Sequence, residues 1–232
     1  MKYETVIFDL FGTVTDNYSY KEYQSVLGQM ASVLTLSFDA FRRLWSETTY
    51  ERNTGVIRTI EANIEYICEK LGVSVDDTKI RLATKTRYDS VTNTMRPRQD
   101  AIDVLSYLQS QGLKTGLISN CSPDTPLIWK DTPFAPLFDV AVFSSSVGVK
   151  KPDPRIYQIA IDQLATKPGN CLYIGNGDSR ELTGASQVGM HPVLIRVPDE
   201  DSTDAEWEDS TDAEQWEGPV ISSLREVLDL VR

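Results

Sequence analysis

Thr5-Val6-Ile7-Phe8-Asp9-Leu10-Phe11-Gly12-Thr13-Val14 is the stretch that decides the fold. Its apolar start reads as a strand buried on both faces of a sheet. The run ends at Asp9, and ligands of open α/β sheets sit outside the carboxyl ends of such strands, so the carboxylate stands where a nucleophile would. Gly12 lets the chain turn sharply there, and Thr13 offers a hydroxyl. Because Asp before Gly is also an ordinary turn, the reading depends on what other strand ends carry.

Working outward, the periodicity changes twice. From Asp16 to about Met95 strand-like runs vanish, and Phe38, Phe41, Leu44, Trp45 and then Ile60, Ile64, Ile67, Leu71 recur at helical spacing. After Arg96-Pro97-Arg98, expected helices over 101–109, 156–164 and 181–188 alternate with expected strands over 114–118, 140–143, 171–175 and 193–197. That alternation implies a parallel sheet with crossover helices. The expected organisation is an α/β core from 1–15 and 96–232 with an all-helical cap inserted at 16–95.

The 232 residues, 41% of them hydrophobic, suffice for one such core. Of the net charge of −11, ten acids fall between 198 and 218, leaving 24 acids against 23 bases elsewhere. Acidity this local argues against a nucleic-acid-binding surface. Residues 200–217 hold a near-perfect duplication, EDSTDAEW then EDSTDAEQW, which reads as a solvated acidic surface loop within 198–218 or as a docking tail. Cys68, Cys121 and Cys171 are odd in number and lack metal-ligand spacing, which fits a reducing cytoplasm. Glu4 and Asp9 interrupt the N-terminal apolar stretch, and no later run approaches membrane-spanning length, so neither signal peptide nor membrane association is expected.

Three further segments follow Asp9 at expected strand ends. Leu117-Ile118-Ser119-Asn120-Cys121 offers a hydroxyl and an amide to anionic oxygens. Val149-Lys150-Lys151-Pro152-Asp153-Pro154 leaves Lys151 as a fixed cation. Tyr173-Ile174-Gly175-Asn176-Gly177-Asp178-Ser179-Arg180-Glu181-Leu182-Thr183-Gly184-Ala185 is a strand, a glycine-containing loop and a helix start, where Asp178 and Glu181 could equally form a helix capping box.

In this order the four segments resemble the haloacid dehalogenase-like hydrolase superfamily over nearly the whole chain. FDLFGTVTD resembles motif one with the nucleophile at Asp9, LISNC motif two with Ser119, VKKPDP motif three with Lys151, and IGNGDSRELTGA motif four. The resemblance implies a Rossmann-like core under a mobile helical cap, hinged near Asp16-Asn17 and Met95-Arg96, and hydrolysis of a small phosphorylated metabolite with Mg²⁺. It assigns catalysis to Asp9, Ser119 and Lys151, phosphate binding to Gly12, Thr13 and Asn120, and metal binding to Asp9, the carbonyl of Phe11, Asn176, Asp178 and Glu181. An attacking carboxylate forms an aspartyl-phosphate that water then cleaves, splitting one difficult step into two.

Two positions depart from the phosphatase pattern. Phe11 occupies the site of a second Asp that serves as general acid and base, a contribution of about 100- to 10,000-fold, which implies slow turnover or a good leaving group. Asn176 stands where a metal-binding Asp is expected. An aromatic residue at 11 instead resembles the metal-independent 2-haloacid dehalogenases, whose Asp attacks carbon while an Arg holds the substrate carboxylate. Asn120, Lys151 and Tyr157 suit that alternative, with Arg42, Arg43 and Arg52 as cap cations, although Trp45 is followed by Ser46 rather than Arg and motif four lacks Ser-Ser-Asn. A catalytically weak or non-enzymatic small-molecule-binding relative is the further alternative. His191 reads as a structural loop residue, Cys121 as packing, and Trp45 and Tyr50 as cap interior.

Overall fold

The structure, a computed structural model, describes residues 2–16, 19–198 and 211–232. β1 (Thr5–Phe8) is buried along its whole length and lies between β2 (Lys114–Ser119) and β4 (Cys171–Gly175). Thr5 pairs with Lys114 on one side and Cys171 on the other, Phe8 with Leu117 and Ile174. β3 (Val140–Phe143) extends the sheet beyond β2, while β5 (His191–Ile195) and β6 (Val220–Ile221) extend it beyond β4. All pairings are parallel in the order β3-β2-β1-β4-β5-β6, a Rossmann-like sheet. The chain winds outward from β1 to β3 and returns to β4, so the winding reverses beside β1 and opens a crevice at the carboxyl ends there.

Alternate side chains feed two apolar layers. Val6, Phe8, Leu117, Leu172 and Ile174 meet Val104, Leu105 and Leu108 of α6 (Ala101–Ser110) and Val227 of α11 (Val227–Leu230). On the other face Ile7, Ile118 and Tyr173 meet Ile156 and Ala160 of α9 (Pro154–Gln163) and Leu182 and Ala185 of α10 (Glu181–Gln187). Covering on both faces explains the near-continuous apolar strands.

Between β1 and α6 run α1 (Tyr20–Leu34), α2 (Phe38–Glu47), α3 (Thr49–Asn53), α4 (Ile60–Lys70) and α5 (Asp77–Thr94). Leu27, Met30, Phe41, Trp45, Ile64 and Ile67 give these helices a cluster of their own. Ser19, Thr59 and Asp76 start α1, α4 and α5 by accepting from the N–H groups of Glu22, Ala62 and Lys79. The two chain crossings are side by side: Thr15 bridges Pro97, and the Arg98 N–H donates to the Val14 carbonyl at 2.9 Å. Arg87 of α5 also pairs at 2.7 Å with the fully buried Asp124 of α7 (Asp124–Trp129) in the core.

Several elements differ from expectation. β5 begins at His191, because the preceding turn closes with the Met190 N–H on the Ala185 carbonyl and leaves His191 to pair with Leu172. His191 is therefore a strand residue. β6 and α7 were not expected, since two and six residues are too few to show a period. α8 (Ser144–Val147) separates β3 from the Lys151 segment, which follows a short helix rather than a strand. The duplicated acidic stretch lies largely outside the described residues, which resume at Thr211. Among the described residues, no helix is long and apolar enough to cross a membrane.

Candidate active site

Asp9 leaves β1 with its N–H on the Ile174 carbonyl at 2.9 Å, a last rung that holds the side chain above the carboxyl edge of the sheet, 5% exposed. The ammonium of Lys151 donates to Asp9 Oδ1 at 2.5 Å and to Glu181 Oε2. Lys151 is itself aimed by Asn120: the Lys151 N–H donates to Asn120 Oδ1 at 2.8 Å, and Asn120 Nδ2 donates to the Lys151 carbonyl at 3.1 Å. Asn120, expected at the substrate, is thus tied to the backbone of Lys151.

Glu181 opens α10 fully buried. Its Oε2 also accepts from the Tyr173 hydroxyl at 2.7 Å, its Oε1 from the Gly177 N–H at 3.0 Å, and its carbonyl from the Tyr157 hydroxyl at 2.9 Å. Two glycines make room for this packing. A Cβ on Gly175 would lie 2.2 Å from Glu181 Oε1, and one on Gly184 2.5 Å from the Tyr157 hydroxyl oxygen.

Burial pushes the carboxyl groups of Asp9 and Glu181 up, against the pull of Lys151, and Glu181 reaches about 7. Burial alone would lower Lys151, but the two carboxylates facing it hold it above the ordinary lysine range. Two carboxylates therefore share one permanent cation. Thr13 Oγ1 and Ser119 Oγ, both fully buried, make no hydrogen bond among the described residues. Buried hydroxyls are ordinarily paired, so these two, in the segments that follow β1 and β2, stand out.

The oxygen donors expected to hold Mg²⁺ do not all remain available. Both oxygens of Glu181 are engaged as above, which removes it from the ligand set. Asn176 Nδ2 donates to Asp178 Oδ2 at 2.9 Å, and the Asp178 N–H donates to Asn176 Oδ1 at 3.2 Å. Asp178 faces Asp9 closely enough for its charge to raise the Asp9 carboxyl. Among the described residues no three His, Cys, Asp or Glu side chains form a metal-holding group. Apart from Glu181, whose two oxygens take three donors, the expected set is Asp9, Asp178, Asn176 and the Phe11 carbonyl, two carboxylates and two neutral oxygens, of which Asp9 Oδ1, Asp178 Oδ2 and Asn176 Oδ1 already accept a hydrogen bond. That set fits Mg²⁺, which is commonly held by one or two carboxylates with water and a substrate phosphate completing its shell. The alternative capping box is not formed: Ser179 and Arg180 have φ of 54° and 52°, α10 starts only at Glu181, and the Glu181 side chain reaches Gly177 rather than Asp178.

In the helical insertion, Arg42 and Arg43 face solvent, Arg43 paired with Glu47 at 3.0 Å. Arg52 is buried instead, its guanidinium over the Trp45 ring and bonded to the Trp45 carbonyl, Thr48 and Thr49, and burial lowers it to about 10. Trp45 is interior as expected, whereas Tyr50 is 61% exposed. Cys121 is buried and its thiol is pushed up to about 12, consistent with packing. Tyr173 was missed; a tyrosine in a strand buried on both faces must find a partner for its hydroxyl, and that was the available signal. Arg98 was missed too, donating at 2.8 Å to the Thr13 carbonyl and 2.9 Å to that of Gly12.

A parallel sheet presenting a buried carboxylate, ammonium and second carboxylate where its winding reverses defines an α/β enzyme core. The family model for haloacid dehalogenase-like hydrolases matches residues 3–189, and the chain belongs to that family. It is 27% identical over 197 residues to an (S)-2-haloacid dehalogenase of Pseudomonas putida, covering 80% of this chain and 81% of the relative. It is 26% identical over 196 residues to a glyceraldehyde 3-phosphate phosphatase of Methanopyrus kandleri, covering 82% and 81%. The crystal structure of a HAD phosphatase from Thermococcus onnurineus shares the fold with a TM-score of 0.65 at 22% identity, over 98% of this chain and 97% of that one.

Proposed function

We propose that this hydrolase is a phosphatase that transfers the phosphoryl group of a small phosphorylated substrate to Asp9 and then releases it to water. The observation that carries the reading is a pair of buried hydroxyls without a partner among the described residues, Thr13 and Ser119, in the segments after β1 and β2, together with the Asp9 carboxylate already held by Lys151. The similarity to a phosphatase of a three-carbon phosphate supports it.

Asp9 Oδ attacks phosphorus as the bond to the leaving oxygen breaks. Lys151 lowers the repulsion between the nucleophile and the phosphate, while Thr13 and Ser119 donate to its equatorial oxygens. Bound at Asp9, Asp178, Asn176 and the Phe11 carbonyl, Mg²⁺ would neutralise further phosphate charge. Phe11 gives no proton to the departing oxygen, so substrates whose leaving group is stable as an anion are favoured.

The helical insertion touches the core near the Ser119 segment. Gly55 follows α3 so closely against α8 that a Cβ there would lie 2.1 Å from the Ser145 carbonyl oxygen, and the Ser122 hydroxyl donates to Asn53 Oδ1 at 3.4 Å. On this reading substrate entry moves the helical insertion as a cap about the crossings at Asp16 and at Met95-Arg96.

Metal-independent 2-haloacid dehalogenation is the second reading, favoured by Phe11. Assays of aryl phosphates, alkyl phosphates and 2-haloacids, each with Mg²⁺ and with chelator, test both. Mg²⁺-dependent aryl phosphate hydrolysis that disappears in Asp9→Asn is expected. Chelator-indifferent halide release would transfer the assignment to the second reading, and no turnover on any class would remove both.

A further inference from the structure

The second copy of the acidic repeat returns to the site. Thr211, Asp212 and Ala213 lie against the loop between β4 and α10, and Asp212 is buried. The Asp212 N–H donates to the Gly177 carbonyl at 2.9 Å, and the Thr211 hydroxyl to the same oxygen at 3.2 Å. The Asp212 carboxylate accepts from the Thr183 N–H and hydroxyl, both at 2.8 Å. Contact is close enough that a Cβ on Gly177 would lie 2.9 Å from the Ala213 nitrogen.

The strap is anchored from behind. Arg196 donates to the Ala213 carbonyl at 2.5 Å, and Ala213 and Trp216 pack on the apolar layer beneath α9 and α10.

We propose that Thr211 and Asp212 are positioning residues for the reaction centre, acting through the backbone on either side of the Gly177 Cα on Glu181 and through Glu181 on Lys151 and Asp9. Both polar groups of Gly177 are engaged, the N–H of the 176–177 peptide by Glu181 Oε1 and the carbonyl of the 177–178 peptide by the strap, so the two peptide planes that meet at the Gly177 Cα are held from opposite sides and the turn that presents the N–H to Glu181 is fixed. Glu181 passes that placement to Lys151, which touches Asp9. The loop needs an external hold, because Ser179 and Arg180 sit in the left-handed region that non-glycine residues avoid. Asp212 completes the frame, near enough for its charge to add, after burial and the charge of Glu181, to raising the Tyr157 hydroxyl, which supports the Glu181 carbonyl. The inference rests on Asp9, Lys151 and Glu181 being the reaction centre.

The test is hydrogen exchange by mass spectrometry together with steady-state kinetics on an aryl phosphate, using the full chain with Thr211→Val, Thr211→Ser and Asp212→Leu. Faster exchange confined to residues 176–184 is expected in the Val and Leu variants, with kcat lower by about tenfold or more, KM within about twofold, and the Ser variant matching the parent. Parent-like exchange in 176–184, or parent-like kcat, in Thr211→Val would overturn the proposal. So would exchange rising throughout the chain with kcat falling only as the folded fraction does. Should Asp212→Leu fail to fold, the exposed Thr211 pair decides. An inactive parent whose variants still loosen 176–184 refutes the catalytic reading alone and leaves the strap's hold on the loop standing.

Discussion

Asp9, Lys151 and Glu181 carry two potential negative charges and one positive charge out of water. Replacing one carboxylate by a neutral isostere leaves a balanced pair, so Asp9→Asn is expected to abolish turnover yet raise the thermal midpoint, by about 2–4 °C per kcal/mol gained. The sign follows from the raised carboxyl groups. Between the unfolded Glu value near 4.5 and the folded value of about 7, the native state holds more protons than the unfolded one, so the parent loses stability as pH rises through that window. The advantage of Asp9→Asn should therefore be small at pH 4 and full by pH 8, as measured by melting in chelator; an advantage that shrinks with rising pH contradicts the charge balance. Lys151→Met leaves both carboxylates without their cation and is expected to cost about 3–5 kcal/mol at neutral pH. At position 11, Phe11→Asp should narrow the rate gap between aryl and alkyl phosphates, and equal rates for the two in the parent would refute the missing-acid account.

At the scale of elements, the strand ends bring together side chains that the chain keeps far apart. Asp9, Ser119 and the loop after Gly175 are legible in sequence because each ends an apolar run, a local signal. The parallel core and the long helices of the insertion are legible for the same reason, since period and capping residues act within a few positions. What stayed hidden acts across the chain. Asn120 grips a backbone 31 residues away, and Asp212 one 29 residues away, with no spacing rule to announce either. Arg52 lies in a helix too short to show a face, so its burial could not be told from solvation. The α9–α10 contact gives a further check. Gly184→Ala places a methyl against the Tyr157 hydroxyl and is expected to destabilise by about 1–3 kcal/mol in chemical denaturation, with Tyr157→Phe relieving the clash only partly because the ring remains.

For the whole molecule, the helical insertion and the core are joined by the paired crossings and by the Arg87–Asp124 ion pair. Asp124→Leu removes the carboxylate that the largely buried Arg87 guanidinium pairs with and should cost about 3–5 kcal/mol, whereas Arg87→Met with Asp124→Leu should recover most of it; a double variant as unstable as the single one would contradict this. The placement of β1 also bears on synthesis. Its four residues are made before either neighbour, one of which arrives more than a hundred residues later and the other more than a hundred and sixty. Contacts so distant in sequence close slowly and only once both partners exist. Asp9 is thus made well before its last ladder bond, to Ile174, can form 165 residues later, and no nascent chain that stops short of Glu181 holds the cluster of Asp9, Lys151 and Glu181.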